Sequence, residues 1–338
     1  MKTLIFCLAG KIDFFVNNHN KKNKLTNLKK FYNIMLVEKH MTKDFEISTD
    51  SNCDLYANEI KDLGIYVGHL SYILDDGKNM TEHLDKFEKP EQYVEFFNEI
   101  RKGKIARTSI LSLQAHIDLF TEMAEKGIKK VLHITQSYGL SPTLDNANKA
   151  IELVKEKYPD INYVAIESST TTVGEGILVR IACEMRDAGK DRQEAIDWIE
   201  SHKNKLQHII MVDDLTCLKR GGRISGPKAA IATMLQIKPI IEFGKNGKLD
   251  VYRKEIGVKK AMKSMVEEFA SHTVSKEYPW AVIIVHCGNQ PRAEELANMV
   301  FEKTGVKPEI RIMGPIIGAH VGPGGVAIGF LSNEERPF

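Results

Sequence analysis

The chain has 338 residues, 43% of them hydrophobic and 27% charged, with a formal charge of +2. That balance leaves no electrostatic footprint for nucleic acid, and no run of eighteen apolar residues marks a membrane span or predicts stable membrane insertion. The length suggests two domains of ordinary globular composition.

Residues 1–40 stand apart. They carry eight lysines against Asp13 and Glu38, so they hold +6 while the remainder holds −4. Their stretch "NNHNKKNKLTNLKK" has no hydrophobic period, and the opening "MKTLIFCLAGK" is too short in its apolar core for a secretory signal. We expect a disordered extension, or a start placed too early, with Met41 opening the ordered sequence. Domains are then expected at 41–205 and 206–338.

From Met41 the pattern alternates strand-length apolar runs with helix-length amphipathic segments. Strands are predicted at 45–49, 131–135, 162–167, 208–212, 281–286 and 324–330. Ser112 caps a predicted helix that Gly127 stops, a second helix ends on Gly189, and a third runs from Pro291 to Gly305. Such alternation implies an α/β fold, with a mainly parallel sheet and flanking helices in the N-terminal domain and a second α/β domain after it.

Four loops beside these elements are rich in hydroxyls: "STDSNCD" (48–54), "ARTSILS" (106–112), "TQSYGLSPT" (135–143) and "ESSTTT" (167–172). The carboxyl ends of strands in open α/β sheets form the ligand crevice, and helix N-termini there offer free N–H groups. Hydroxyl-rich loops in that place suit an anion, although each alone reads as a helix cap. A fifth stretch, "GPIIGAHVGPGGVAI" (314–328), sets His320 in what reads as a glycine-rich loop: either a solvated turn that happens to hold a histidine, or a backbone bent so that the imidazole reaches a ligand.

Other chemistries lack their signatures. The pattern GxGxxG is absent, and "GGRISGPK" (221–228) reads as a tight turn presenting Arg223 rather than a phosphate loop. His133, His286 and His320 have no metal-ligand spacing. Asp50, Asp213 and Asp214 are candidate acids, but no GxSxG frame completes a hydrolase. Five cysteines without a C-x-x-C pair predict reduced thiols in a cytoplasm, not disulfides or structural zinc.

Several of these stretches resemble the DegV family of bacterial fatty-acid-binding proteins, in the family's order. They are "ISTDSNCDL" (47–55), "ARTS" (106–109), "SYGLSPT" (137–143), "DDLTCLKRGGRIS" (213–225), "LQIKPII" (235–241) and "GPIIGAHVGPGG" (314–325). The resemblance implies two α/β domains that bury a long-chain fatty acid. It implies that Thr108, Ser109, Ser137, Ser141 and His320 hold the carboxylate, with Arg223 at the head group or on the partner surface. It also implies a non-enzyme that presents its ligand to a separate fatty acid kinase, which forms the acyl phosphate for phospholipid synthesis. No cofactor beyond the bound lipid is expected. His320, with a reference pKa near neutral, is expected to be partly cationic. The chain departs from the family pattern at Tyr138, a bulky ring beside the expected head group, and at Pro142, which lacks an N–H donor. The alternatives are a small-molecule enzyme using a Ser/Thr nucleophile with His320, or a carrier of another apolar anion.

Overall fold

The computed structural model describes residues 43–224 and 236–336. The expectations for residues 1–40, for Cys7 and for residues 225–228 lie outside them. From Asp44 onward the chain forms one compact unit.

In chain order the unit begins with β1 (Glu46–Asp50), α1 (Ala57–Leu63), β2 (Tyr66–Gly68), β3 (Ser71–Asp75) and β4 (Met80–Leu84). It continues with α2 (Pro90–Arg101), β5 (Ile105–Thr108), α3 (Leu113–Glu125), β6 (Lys130–Thr135), α4 (Thr143–Lys157) and β7 (Asn162–Glu167). Two helices follow, α5 (Val173–Asp187) and α6 (Arg192–His202), then β8 (Leu206–Met211) and the short α7 (Thr216–Arg220). The last part holds β9 (Ile237–Phe243), β10 (Leu249–Ile256), α8 (Val258–Ser271), β11 (Val282–His286), α9 (Gln290–Thr304), β12 (Glu309–Ile312), α10 (Pro315–Val321) and β13 (Val326–Leu331).

These strands make three sheets. One is four-stranded and parallel throughout, in the order β2-β1-β6-β7. The second has six strands in the order β10-β9-β8-β13-β11-β12, and only β11 and β12 run parallel in it. The third is a small antiparallel sheet, β4-β3-β5. The α/β class expected from the sequence is the one observed. The expected division at 205/206 falls immediately before β8.

Helix α5 explains how the two large sheets are joined. Eleven of its fifteen residues are buried, among them Ile177, Leu178 and Ile181. A helix buried over most of its surface belongs inside a core, and α5 packs on both β1 and β13. Helices α8 and α9 cover the opposite face of the six-stranded sheet. Strand β8 is buried along its whole length, which its unbroken apolar run requires of a central strand.

The six strands predicted from the sequence are all present, with ends shifted by one or two residues. The small sheet and the β9–β10 hairpin carry no comparable signal. Strand β4 is exposed at four of its five positions, and β10 mixes charges among its apolar residues, so neither shows a clean alternation.

Candidate functional site

The carboxyl ends of the parallel strands open toward one face of the six-stranded sheet, and a cavity lies there. The space within it and its open mouth together comes to about 730 Å³. Three of the four hydroxyl-rich loops reach it. They contribute Thr108, Ser109 and Ile110, then Gln136, Leu140 and Ser141, then Thr171 and Thr172. The opposite wall is mainly apolar and comes from Ile210, Phe243 and Ala327 on the sheet and from Leu218, Ile316 and Val321 on α7 and α10.

The fourth loop, 48–54, lies behind this wall and supports it. Asp54 Oδ1 accepts the Gly314 N–H at 3.0 Å, at the start of α10, while Oδ2 accepts the Thr172 hydroxyl. Burial pushes the Asp54 carboxyl up to about 7 and that of Asp50 up to about 6. Thr172 has φ +51, strained for a β-branched residue, and directly precedes α5 beside the cavity.

His320 stands on a helix, not in a loop, which corrects the reading of 314–328. Pro315 opens α10 at its first turn, and the run "IIGAHV" gives it a buried apolar face. Gly318 serves close packing, since a Cβ there would lie 2.7 Å from the Phe97 ring of α2. The His320 imidazole is thereby set against Thr108, and Nε2 and the Thr108 hydroxyl are hydrogen-bonded at 2.9 Å. Residues 212 apart in sequence meet at this bond.

Gly221 makes the other side of the imidazole slot. A Cβ at that position would sit 2.1 Å from His320 Nδ1. Two residues on, Arg223 is half-buried on the cavity wall and donates to the Gly221 carbonyl. No carboxylate among the described residues pairs with it. Burial, and then the Arg223 charge, hold the His320 imidazole down at about 4. The ring is therefore neutral near pH 7 in this state, against the expectation of partial positive charge. The cation facing the cavity here is Arg223.

The two loop serines separate. Ser141 is buried and lines the cavity. Ser137 does not line it: its hydroxyl donates to the Gly247 carbonyl at 2.8 Å and accepts the Gly139 N–H at 3.1 Å, tying the loop to the β9–β10 hairpin. Ser109 is exposed at the mouth. Tyr138 turns to solvent, 51% exposed, with its hydroxyl on Asp145 Oδ2 at 3.0 Å, so it does not crowd the cavity. Pro142 is exposed at the N-terminus of α4.

This frame of Thr108, Ser141, Arg223 and His320 coincides with a family match. The sequence matches the DegV family, described as "Uncharacterised protein, DegV family", over residues 44–333. The chain belongs to the DegV family. A DegV domain-containing protein of Clostridium perfringens is 35% identical over 297 residues, covering 87% of this chain and 100% of that protein. The structure of a fatty acid binding DegV family protein from Streptococcus agalactiae is 27% identical, covers 86% of this chain and 99% of that one, and superposes with a TM-score of 0.71. A Thermotoga maritima protein whose structure "reveals fatty acid binding function" is 26% identical with a TM-score of 0.72, covering 86% and 99%.

Sequence reasoning missed Gln136, Thr171 and Thr172 as lining residues, although two flagged loops contain them. It also missed Gly221, whose role depends on a ring 99 residues downstream. Among the described residues no cluster of His, Cys, Asp and Glu could hold a metal, and no helix is long and apolar enough to cross a membrane.

Proposed function

We propose that this protein binds a long-chain fatty acid in the cavity, with the carboxylate at Thr108, Ser109, Ser141, His320 and Arg223. The observation that carries this reading is the hydrogen-bonded Thr108–His320 pair beside an arginine without a carboxylate partner among the described residues, at one end of a mainly apolar cavity. Each buried methylene contributes about 0.8 kcal/mol, so about fourteen give on the order of 11 kcal/mol before binding costs. An ionised carboxylate covered by protein needs donors and a cation, and this end supplies both. The fatty acid binding of the Streptococcus agalactiae and Thermotoga maritima relatives supports the same ligand.

The protein then acts as a cytoplasmic carrier, not a catalyst. It presents the carboxylate to a separate fatty acid kinase, whose acyl phosphate product feeds phospholipid synthesis. Exposed Ser109 and Ile110 at the mouth favour access to that end of the ligand. The hydrolase alternative needs a carboxylate to orient the imidazole. His320 hydrogen-bonds to Thr108 instead, and no acid contacts the ring among the described residues.

Two measurements test this. Lipid extracted from the purified protein should contain a long-chain acid by mass spectrometry. Titrations should show Thr108→Val weakening the acid several-fold while its methyl ester changes much less. Hydrolysis of the ester by the protein, or equal loss for both ligands, would overturn the reading.

A further inference from the structure

The cavity wall is not uniformly apolar. Gln136, Thr171 and His208 line it, and the side chains of Gln136 and His208 are 5% and 2% exposed. The bonds among them and their neighbours are long. Thr171 Oγ1 donates to Gln136 Oε1 at 3.5 Å, and Thr170 Oγ1 lies 3.4 Å from each ring nitrogen of His208. Hydroxyl bonds usually measure about 2.7–2.8 Å. Gln136 Nε2 donates to nothing among the described residues. Burial and the Arg336 charge keep the His208 ring neutral; one ring nitrogen bonds to the Thr171 backbone, which leaves the other to accept a hydrogen bond.

Strand register places His208 away from the head-group end. His208 sits two residues before Ile210 on β8, on the same face and about 6–7 Å along the strand. It pairs with Gly329, whereas Met211 pairs with Val326, the end of β13 nearest α10. His320 and His208 therefore lie toward opposite ends of this wall. A plain alkyl chain laid across Gln136, Thr171 and His208 would strip them of water and return nothing.

We propose that Gln136, Thr171 and His208 form a second, polar subsite that receives an oxygen carried on the acyl chain, so that the cavity is matched to a hydroxylated fatty acid. This rests on the fatty-acid reading above and narrows its ligand. A chain hydroxyl can accept from Gln136 Nε2 and donate to the neutral ring of His208, completing both groups at once.

The test uses the full chain, octadecanoic acid, and hydroxyoctadecanoic acids with the hydroxyl stepped from mid-chain toward the methyl end. At one position or more, the hydroxy acid should bind wild type at least as tightly as octadecanoic acid. In Gln136→Leu that same hydroxy acid should fall about tenfold relative to octadecanoic acid, which itself gains affinity. Thr171→Val, an isosteric change, should act in the same direction and less strongly. A hydroxyl that weakens binding at every position, by the same factor in wild type and both variants, overturns the subsite and leaves fatty-acid binding intact. Failure of octadecanoic acid to bind wild type at all would instead remove the fatty-acid reading, and the subsite with it.

Discussion

The two walls of the cavity are made differently. The apolar wall comes largely from regular elements: β8, β9, β13, α7 and α10. The polar wall comes from three loops that each also start or support a helix. A strand face announces itself by a run of apolar residues, whereas a loop hydroxyl looks the same whether it caps a helix or faces a ligand. Ser137 and Ser141 make the point within one loop. They lie four residues apart, yet one is spent on Gly247 and the other lines the cavity. The difference follows from where the β9–β10 hairpin packs, which is a tertiary fact.

The largest expected effect tests whether the polar wall holds charge. Arg223→Ala removes the one cation lining the cavity among the described residues. Charge-assisted hydrogen bonds contribute about 1.5–3 kcal/mol, so fatty-acid binding should weaken roughly tenfold to a hundredfold. The methyl ester should lose far less, because it brings no charge. The sequence suggested an exposed arginine that presents the ligand. A variant that keeps full affinity for the acid but fails in acyl-phosphate formation with a matched kinase would restore that view.

A smaller effect is expected where the two walls meet. Gly221→Ala places a methyl group 2.1 Å from His320 Nδ1. The backbone there is helical, so the alanine itself is permitted, but the imidazole must leave its slot. Overpacking of this kind costs about 1–3 kcal/mol, read as a lowered Tm together with loss of the Thr108 contact. The double variant Gly221→Ala/His320→Ala should recover most of the stability. No recovery would mean that the glycine serves the turn and not the ring.

How far the sequence carried follows the same division. The α/β class, the six main strands and the family were legible, since long apolar runs and ordered motifs survive without tertiary information. Thr108, Ser141 and His320, named from the sequence, line one cavity. The secondary structure around His320 was misread, because glycines at 314, 318 and 322 suggest a loop. Gly318 is instead the contact surface of a helix, and only the position of Phe97 reveals it. The neutral charge of His320 was equally hidden, since burial and a cation nearly one hundred residues away set it.

The serine pair sharpens the contrast at the level of about 1 kcal/mol. Ser137→Ala leaves the Gly247 carbonyl and the Gly139 N–H without their partner, so Tm should fall while acid affinity holds. Ser141→Ala should do the reverse, with an acid affinity several-fold weaker and a nearly constant Tm. The opposite pattern, measured by thermal unfolding and titration on both variants, would exchange the two roles.

The smallest effect concerns the charge on His320. Its folded-state pKa of about 4 lies below the reference 6.5, so the free protein keeps the ring neutral at pH 6. A bound carboxylate beside the ring favours the cation and raises that pKa. The complex then holds more protons than the free protein. By linkage, acid affinity should therefore strengthen as pH falls through the bound-state pKa toward the free-protein value of about 4, and binding in that window should take up a fraction of a proton. Calorimetry in two buffers of different ionisation enthalpy reads that uptake, and His320→Ala should abolish it. Arg223→Ala should raise the free-protein pKa, seen in ring proton shifts. It should stay below 6.5, because burial is the larger cause. Proton uptake that persists in His320→Ala would move the titrating group elsewhere and leave His320 as a neutral donor at the polar wall.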